Sequence, residues 1–299
     1  MLITDVISEY IFDCEIRKFS PKTIKGYRNN LNYLAKYLDG YDITKIEDIK
    51  TIHLKSFFKH ISDGGRKESY MNGLLKTFRV FFKYALSEEY ISVNPCLKVP
   101  WAKETMPLIV TFTDAEVKRM IYAFKETDYM EMRNKAIICM LIDTGIRNYE
   151  LCCLPMEALR ENVINIMGKG KKERQVAQSP FLSKVMLKYM RMRCRYFEHK
   201  NIPDNLFLSR TGNMLTVEAV ERIVKTACER ANVRQTIRCS PHTCRHYFAQ
   251  CQIRNGMDVY SLSRIMGHSN INITQRYLNS MQDNDIVEKS VKTSPLMNL

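Results

Sequence analysis

Three short segments in the second half of the chain carry residue types that could bind and attack an anion. In one of them Ser240 and Pro241 are a typical helix N-cap and first helical residue, and His242 and Arg245 follow. Residues three apart lie on one face of a helix. Because a helix N-terminus presents free N–H groups and a positive dipole end, this segment predicts an anion site. His246, four residues after His242, is interpreted as a core residue.

A second segment, residues 144–151, places Arg147 just after Gly145. Gly145 is a plausible left-handed residue at the end of an apolar helix over residues 136–142. A guanidinium held against a buried helix end is costly unless it meets an anion or a carboxylate. Arg147 is therefore either an anion ligand or a structural partner of Glu150, and the residues alone leave both interpretations open.

The third segment, residues 266–277, contains Gly267, His268, Thr274 and Tyr277. Gly267 is expected to end one helix and to place His268 in the turn, while Thr274 and Tyr277 lie three apart on a helix predicted over 271–280. A tyrosine on an amphipathic helix is usually a core residue. Tyr277 therefore gains a chemical role only through the residues around it.

Between these segments the pattern predicts a β-hairpin with a basic turn. Residues 163–167 and 174–178 are predicted as short strands, joined across the sequence Gly-Lys-Gly-Lys-Lys at 168–172. Further helices are predicted at about 181–197, 216–231, 241–255 and 258–266. The second part of the chain is therefore expected to be mainly α with a small antiparallel β-sheet, an α+β domain.

The first 95 residues are predicted to be all α. Apolar residues recur every three or four positions from Ile24 to Leu38 and from Met71 to Ala85. The basic residues of these helices fall largely on other faces, where they form a solvated surface or grip a DNA backbone. Prolines at 95, 100 and 107 predict a linker over residues 96–108.

Composition narrows the class of protein. The 299 residues carry a net charge of +14; residues 1–95 hold 15 basic and 12 acidic residues, and the remainder holds 31 and 20. A basic surplus concentrated in one region is typical of proteins that neutralise phosphates. No apolar run reaches the roughly 18 residues of a membrane span. Ten cysteines scattered through apolar runs favour reduced thiols and a cytoplasmic protein.

Taken in order, the motifs read Thr-Gly-Ile-Arg-x-x-Glu-Leu, His-x-x-Arg-His, Gly-His, and a tyrosine nine residues after that histidine. This order resembles the tyrosine recombinase/integrase family, most of all its compact bacterial Xer-like recombinases and small transposon or phage integrases. The resemblance covers nearly the whole chain. It implies a two-domain DNA clamp, with a core-binding domain at 1–95 and a catalytic domain at 109–280. Ile146, Cys244 and Met266 depart from the usual residues, each by an apolar-for-apolar change.

The resemblance implies a role for each motif residue. Arg147 and Arg245 match the arginines that cradle the scissile phosphate, where a planar guanidinium can hold two oxygens at once. Tyr277 matches the nucleophile that attacks phosphorus. His242 matches the group that accepts the tyrosine proton, and His268 matches a hydrogen-bond donor to the phosphate.

Lys169 matches the hairpin lysine that protonates the departing 5′ oxygen, although Lys171 and Lys172 are close enough to take that role. The product would be a 3′-phosphotyrosine, which conserves the bond energy so that rejoining needs no ATP, metal or other cofactor. The implied partners are double-stranded DNA at a specific site and other protomers, as a tetramer on two sites. The tail at 281–299 either docks on a neighbouring protomer or is disordered.

Three alternatives remain at this stage. A zinc site is suggested by the crowding of Cys239, His242, Cys244, His246 and Cys251, but their spacing lacks paired ligands and Arg245 would repel a cation. A catalytically silent DNA-binding module would share the basic surface. A type IB topoisomerase would use the same phosphotyrosine chemistry to relax supercoils.

Overall fold

A computed structural model of the protein describes residues 1–105, 108–168, 173–268 and 270–278, together with residues 291, 294 and 297. The chain separates into two compact units, residues 1–106 and 107–299. This division falls within the segment predicted as a linker. Within the described ranges, every helix is too short or too polar to span a lipid bilayer.

The N-terminal unit is helical, as the apolar spacing predicts. Its α-helices in the described part are α1 (Ile3–Ile16), α2 (Pro21–Asp39), α3 (Thr51–Asp63) and α4 (Glu68–Ser87). The predicted start of α2 is confirmed, because the Ser20 hydroxyl accepts a hydrogen bond from the backbone N–H of Thr23 at 3.2 Å. The apolar stripes of the helices meet in one core, in which rings such as Phe57, Phe78 and Phe81 are fully buried.

Residues 96–104 pack on this N-terminal unit. Arg79 donates to the Val99 carbonyl at 2.9 Å, and its guanidinium lies 4.4 Å from the centre of the Trp101 ring. The side chain of Asn72 donates to the Ala102 carbonyl at 3.0 Å and accepts from its N–H at 2.9 Å. The first part of the predicted linker is thus held by specific contacts.

The C-terminal unit mixes helices with one small sheet, which confirms the predicted α+β class. Its elements in the described residues are α5 (Asp114–Tyr122), α6 (Tyr129–Thr144), α7 (Asn148–Cys152), β1 (Val163–Met167), β2 (Glu173–Ala177), α8 (Pro180–Tyr196), α9 (Val217–Arg230), α10 (Pro241–Arg254), α11 (Val259–Met266) and α12 (Asn272–Gln275). The strands are antiparallel, with Val163 opposite Ala177 and Met167 opposite Glu173.

Helix α6 is the centre of this unit. Most of its side chains are buried on all sides, and it packs against α5, α8, α9 and α10. From Ala136 to Leu141 the helix is apolar on every side, so this part has no face for solvent and lies inside. Because α10 packs directly on α6, the segment after α6 and the start of α10 are brought together.

The last helix is shorter than the sequence predicts. The pattern predicts a helix over 271–280, whereas α12 ends at Gln275 and Tyr277 follows it in a tight turn. The Tyr277 N–H donates to the Thr274 carbonyl at 3.0 Å, a 3₁₀-type bond. The sequence offers no Gly or Pro to mark this stop. Packing of the Tyr277 ring among Phe248, Leu262 and Met266 accompanies the tighter turn.

Candidate active site

Two helices of the C-terminal unit end at left-handed glycines, as predicted, and each glycine leads into a candidate site residue. Gly145 has φ 59° after α6, and Gly267 has φ 64° after α11. A Cβ on Gly145 would collide with the Phe248 ring, and one on Gly267 would lie 3.1 Å from the Arg174 Cδ. Both turns therefore need glycine for conformation and for space.

Arg147 is a structural partner of Glu150, one of the two interpretations that the sequence left open. Its Nη1 donates to the Glu150 Oε1 at 2.9 Å, and its backbone N–H donates to the Glu150 Oε2 at 3.0 Å. Its Nη2 donates to the Gly267 carbonyl at 2.7 Å. The side chain is still 40% exposed, so the guanidinium is anchored by a carboxylate and remains open to an anion.

Arg174 is a site residue that sequence reasoning missed. From β2 it forms a two-pronged ion pair with Glu150, with Nη1–Oε1 at 2.9 Å and Nη2–Oε2 at 2.6 Å. Its Nε donates to the Ile265 carbonyl at 2.8 Å. Arg174 thereby ties the hairpin to α7 and to the end of α11. The only signal in the sequence is a charged residue at the start of a strand, which does not reveal its partner.

Glu150 stays ionised although its side chain is only 8% exposed. Burial raises the pKa of this carboxyl, but Arg174 and Arg147 lower it by more than burial raises it. The net pKa is below the ordinary value. The carboxylate is the shared anchor of two guanidinium groups. Removing its charge would leave both of them without their acidic partner.

Arg245 is 2% exposed. Its Nη1 donates to the Gly145 carbonyl at 2.5 Å, and its Nη2 donates to the Met266 carbonyl at 2.6 Å and to the His268 Nε2 at 3.0 Å. Among the described residues, no carboxylate lies within ion-pair distance of it. From the start of α10, Arg245 thus bonds to the ends of α6 and α11. Its positive charge has no acidic partner among the described residues.

The local field favours an anion. Burial, and then the nearby Arg147 and Arg174, lower the pKa of Arg245 to about 9. Burial, and then Arg245, Arg147 and Arg174, lower the pKa of His268 to about 4. Three guanidinium groups surround the single carboxylate of Glu150. A bound anion would relieve this repulsion.

The hydrogen bonds of His268 fix its tautomer. Arg245 can only donate, so the His268 Nε2 accepts. The ring proton therefore lies on Nδ1 and is donated to the Thr274 Oγ1 at 2.7 Å. Thr274 is fully buried. The start of α12 thus holds the imidazole edge-on against Arg245.

The two histidines of α10 lie side by side. His242 is exposed on the first turn, and its ring lies 4.7 Å, centroid to centroid, from the His246 ring. Partial desolvation and then Arg245 lower the pKa of His242. His246 is half-buried, and its Nδ1 lies 2.8 Å from the Tyr277 Oη, a contact that the sequence pattern did not indicate.

Tyr277 is 3% exposed and packs in a small apolar cluster with Phe248, Leu262 and Met266. Burial raises its pKa, and this outweighs the opposite effect of Arg245 and Arg276. The hydroxyl is therefore protonated at neutral pH. The candidate nucleophile thus lies inside the unit, with its reactive oxygen on His246.

The predicted hairpin lysine, Lys169, lies outside the described residues, as do Lys171 and Lys172. The strands on either side are in register up to the pair Met167–Glu173. Arg174, the next residue, is bonded to Glu150. The start of β2 is therefore anchored beside the other candidate residues.

No three His, Cys, Asp or Glu side chains of the described residues group into a possible metal site. The segment considered for zinc is no exception. The ten cysteines are unpaired, and most of them are buried. The described residues therefore gather cationic donors, three histidines and a tyrosine, rather than a metal-ligand set.

Comparisons with known proteins agree with this geometry. Residues 111–283 match the model of the phage integrase family, and residues 8–89 match that of the phage integrase N-terminal SAM-like domain. The chain is 29% identical over 286 residues to the tyrosine recombinase XerC of Thermodesulfovibrio yellowstonii, covering 93% of this chain and 91% of the relative. It is 27% identical over 275 residues to XerD of Staphylococcus aureus, covering 91% and 92%.

Solved structures share the fold. The XerH site-specific recombinase bound to a palindromic difH substrate aligns with a TM-score of 0.77 at 20% identity, covering 92% of this chain and 81% of that one. The Tn1549 transposon integrase in complex with circular-intermediate DNA aligns with a TM-score of 0.77 at 18% identity, covering 98% and 100%. From its sequence models, its relatives and its fold, this chain belongs to the phage integrase family, among the tyrosine recombinases.

Proposed function

We propose that this protein is a site-specific DNA recombinase that cuts and rejoins strands through a covalent bond between Tyr277 and a 3′ phosphate. The observation that carries the proposal is Arg245, a buried cation that lacks an acidic partner among the described residues and lies in the field of Arg147 and Arg174. A buried charge left unpaired is costly, so such a site is built to receive an anion. A phosphodiester supplies one negative charge and oxygens for several donors.

The arginines would hold this phosphate. Arg147 is anchored by Glu150, is half-exposed and donates to the Gly267 carbonyl, and Arg245 donates to the carbonyl of Gly145 in the turn before Arg147. Two guanidinium forks can take both nonbridging oxygens and stabilise the charge that develops during attack. We assign the exposed His242, at the start of α10, to the side that faces the substrate.

His268 would join them once the phosphate arrives. In the DNA-free site its Nε2 accepts from Arg245, and burial together with positive neighbours holds its pKa at about 4. A phosphate between the arginines offsets that positive field and raises the histidine pKa. A protonated Nε2 then becomes a donor to a phosphate oxygen.

The reaction is a transesterification. The Tyr277 hydroxyl gives its proton to a histidine of α10, its oxygen forms a bond to phosphorus, the bond from phosphorus to the 5′ oxygen breaks, and a 5′ hydroxyl leaves with a proton. We propose Lys169 as the donor of that proton, with Lys171 and Lys172 as its alternatives. The 3′-phosphotyrosine has the same number of ester bonds as the starting DNA, so rejoining needs no ATP.

Strand exchange between two DNA sites needs several such active sites. We therefore propose a tetramer on two sites, with residues 1–95 as a DNA-binding domain, 96–108 as a linker and 109–280 as the catalytic domain. The support is the family membership and the DNA-bound XerH and Tn1549 integrase structures. We also propose that the tail, which lies largely outside the described residues, docks on a neighbouring protomer. The working compartment would be the cytoplasm.

Covalent capture tests the proposal. A library of duplexes with randomised sequence around one nick is incubated with the wild type and with Tyr277→Phe. A nick near the cleavage point lets the short 5′-hydroxyl strand diffuse away, so that the covalent product accumulates. We expect denaturant-resistant adducts with the wild type, enriched in one sequence, and none with Tyr277→Phe. Adducts that persist in the Phe variant, or no adduct with the wild type, would contradict the proposal.

A further inference from the structure

The contact between His246 and Tyr277 has a chemical use that neither residue's position in the sequence suggests. The His246 Nδ1 lies 2.8 Å from the Tyr277 Oη, and the two rings are 5.6 Å apart and tilted by 60°. This distance is that of a good hydrogen bond between a hydroxyl and an imidazole nitrogen. His242, the expected acceptor of the tyrosine proton, instead has its ring against that of His246.

Charge around His246 keeps it in the neutral form. The groups that face it are His242 and Arg245 on its own helix, and Arg276 and Tyr277 from the turn after α12. Burial, and then the positive field of His242, Arg245 and Arg276, lower the pKa of His246 to about 4. Tyr277 in turn is kept protonated by burial. A neutral imidazole carries one lone pair, which can accept the hydroxyl proton when the ring N–H is on Nε2.

We propose that His246, rather than His242, is the group that accepts the Tyr277 proton, as a further catalytic residue of strand cleavage. This inference rests on the proposed function. As the Tyr277 oxygen bonds to phosphorus, its O–H bond breaks and the proton moves to the His246 Nδ1, while the 5′ oxygen leaves with a proton from the hairpin lysine. In rejoining, the same imidazolium returns its proton to the departing tyrosine oxygen.

The position of the phosphate makes this transfer favourable. In the DNA-free site, Arg245 disfavours a second positive charge on His246. A bound phosphodiester brings a negative charge to Arg245 and offsets its field, so the imidazole becomes more basic when attack begins. Transfer is then coupled to the presence of substrate, and Tyr277 stays a protonated, unreactive phenol without DNA.

The first test compares His246→Asn with His242→Asn in single-turnover cleavage of the captured nicked duplex. The Asn side chain can still accept a hydrogen bond from Tyr277 but cannot take its proton. We expect His246→Asn to lower the cleavage rate by about 10²–10⁴-fold, the usual range for a lost general base, and by more than His242→Asn does. The rate of this variant should then rise with pH as hydroxide ionises the tyrosine. His199→Asn, on a side chain that is 92% exposed, is the unaffected control.

The second test removes the need for the proton transfer. In a Tyr277→Phe background, the protein joins a 5′-hydroxyl strand to a strand ending in a 3′-(p-nitrophenyl) phosphate, whose phenol leaves without being protonated. We expect Tyr277→Phe and Tyr277→Phe/His246→Asn to join at rates within about threefold. This joining needs the phosphate-binding groups but no base or acid for tyrosine, so a disturbed site would be slow here too.

The outcomes separate the two proposals. Slow cleavage together with normal joining supports His246 as the proton acceptor. Normal cleavage by His246→Asn overturns this role. So does a loss of cleavage rate that is matched by an equal fold-loss in the joining rate. If the wild type forms no adduct and Tyr277→Phe joins nothing, the recombinase function itself fails. His246→Gln is the second variant should the Asn variant unfold, and it is judged by the same two rates.

Discussion

The two units differ in what they bury. In the described part of the N-terminal unit, the buried polar side chains are uncharged: Asn72, Thr77 and Asn94. The C-terminal unit buries charged side chains as well: Glu116, Arg133, Lys135, Arg193 and Arg245. Moving an ion out of water costs several kcal/mol unless it is well paired. Apolar burial alone can hold a fold, so buried charge in the C-terminal unit needs a separate explanation.

Most of these buried charges are explained by structural contacts. Lys135 pairs with Glu126 at 2.9 Å, Arg133 donates to the Leu208 carbonyl at 3.0 Å, and Arg193 donates to a backbone carbonyl in the same way. Arg245 also donates to carbonyls, but it lies in the field of two further arginines. Burial of a charge is therefore not by itself a sign of function. Burial of a charge beside other charges of the same sign is such a sign.

The largest expected effect comes from replacing this one cation. Arg245→Met should lower cleavage by about 10³-fold, because a preorganised donor to the phosphate is lost. Stability should change by no more than about 1–3 kcal/mol, because the Gly145 and Met266 carbonyls lose their donor while the cost of burying a cation disappears. Single-turnover cleavage and urea unfolding measure the two quantities.

Arg133→Met is the matched control for Arg245→Met. It should change stability alone, because Arg133 bonds to the Leu208 carbonyl and to Asn134 within the scaffold. Equal losses of cleavage in the two variants, measured per folded molecule, would remove the distinction between structural and functional buried arginines.

The next effect concerns the carboxylates of the two units. Glu150→Gln should destabilise the C-terminal unit by about 3–5 kcal/mol, because it leaves the buried Arg174 without its ionic partner. In the N-terminal unit, Glu9 accepts from the hydroxyls of Tyr84 and Tyr90 at 2.9 and 2.7 Å. Glu9→Gln should cost only about 1 kcal/mol, the value of an ordinary hydrogen bond.

Two signals, taken together, distinguish the unfolding of the two units in urea. Trp101 is the only tryptophan of the chain and belongs to the N-terminal unit, so its fluorescence reports that unit. Far-ultraviolet circular dichroism reports both. A larger shift for Glu9→Gln than for Glu150→Gln would show that the buried ion pair is not what distinguishes the C-terminal unit.

The smallest expected effect is a pH dependence. In the folded protein the pKa values of His246 and His268 are about 4, below the ordinary 6.5. The unfolded chain therefore binds more protons between those values, and the C-terminal unit loses stability as the pH falls from 6.5 towards 4. We expect about 1–2 kcal/mol for each histidine between pH 7 and 5, allowing for partial solvent contact.

The matched variants for this pH dependence are His246→Asn and His268→Asn. Each should show a shallower loss of stability between pH 7 and 5, because one of the two groups that bind protons on unfolding is gone. An unchanged slope in both variants would mean that other groups cause the acid sensitivity.

Local patterns predicted much of this molecule. Ser20 caps α2, and Gly145 and Gly267 end their helices in the left-handed conformation, because caps and stops depend on residues a few positions apart. The resemblance drawn from motif order also selected Arg147 and Arg245, and the structure brings these two together with His268 around one turn.

The same local patterns did not predict the tertiary contacts of the site. His246 and Tyr277 are 31 residues apart, and helical spacing gives the face of a residue but not what packs against it. Arg174 was predicted only as the start of a strand, although it bonds Glu150 from 24 residues away. Spacing also extended α12 past Gln275, because the tight turn there is stabilised by packing of the Tyr277 ring rather than by a stop residue.

The most direct measurement is the identity of the residue bound to DNA. The adduct from the captured nicked duplex is digested with nuclease and trypsin, and the modified peptide is sequenced by mass spectrometry. Trypsin cuts after Arg276, so the expected product is a peptide that begins at Tyr277 and carries a 3′-linked nucleotide on that residue. A nucleotide on another tyrosine, such as the exposed Tyr260, or on a 5′ phosphate would contradict the central claim.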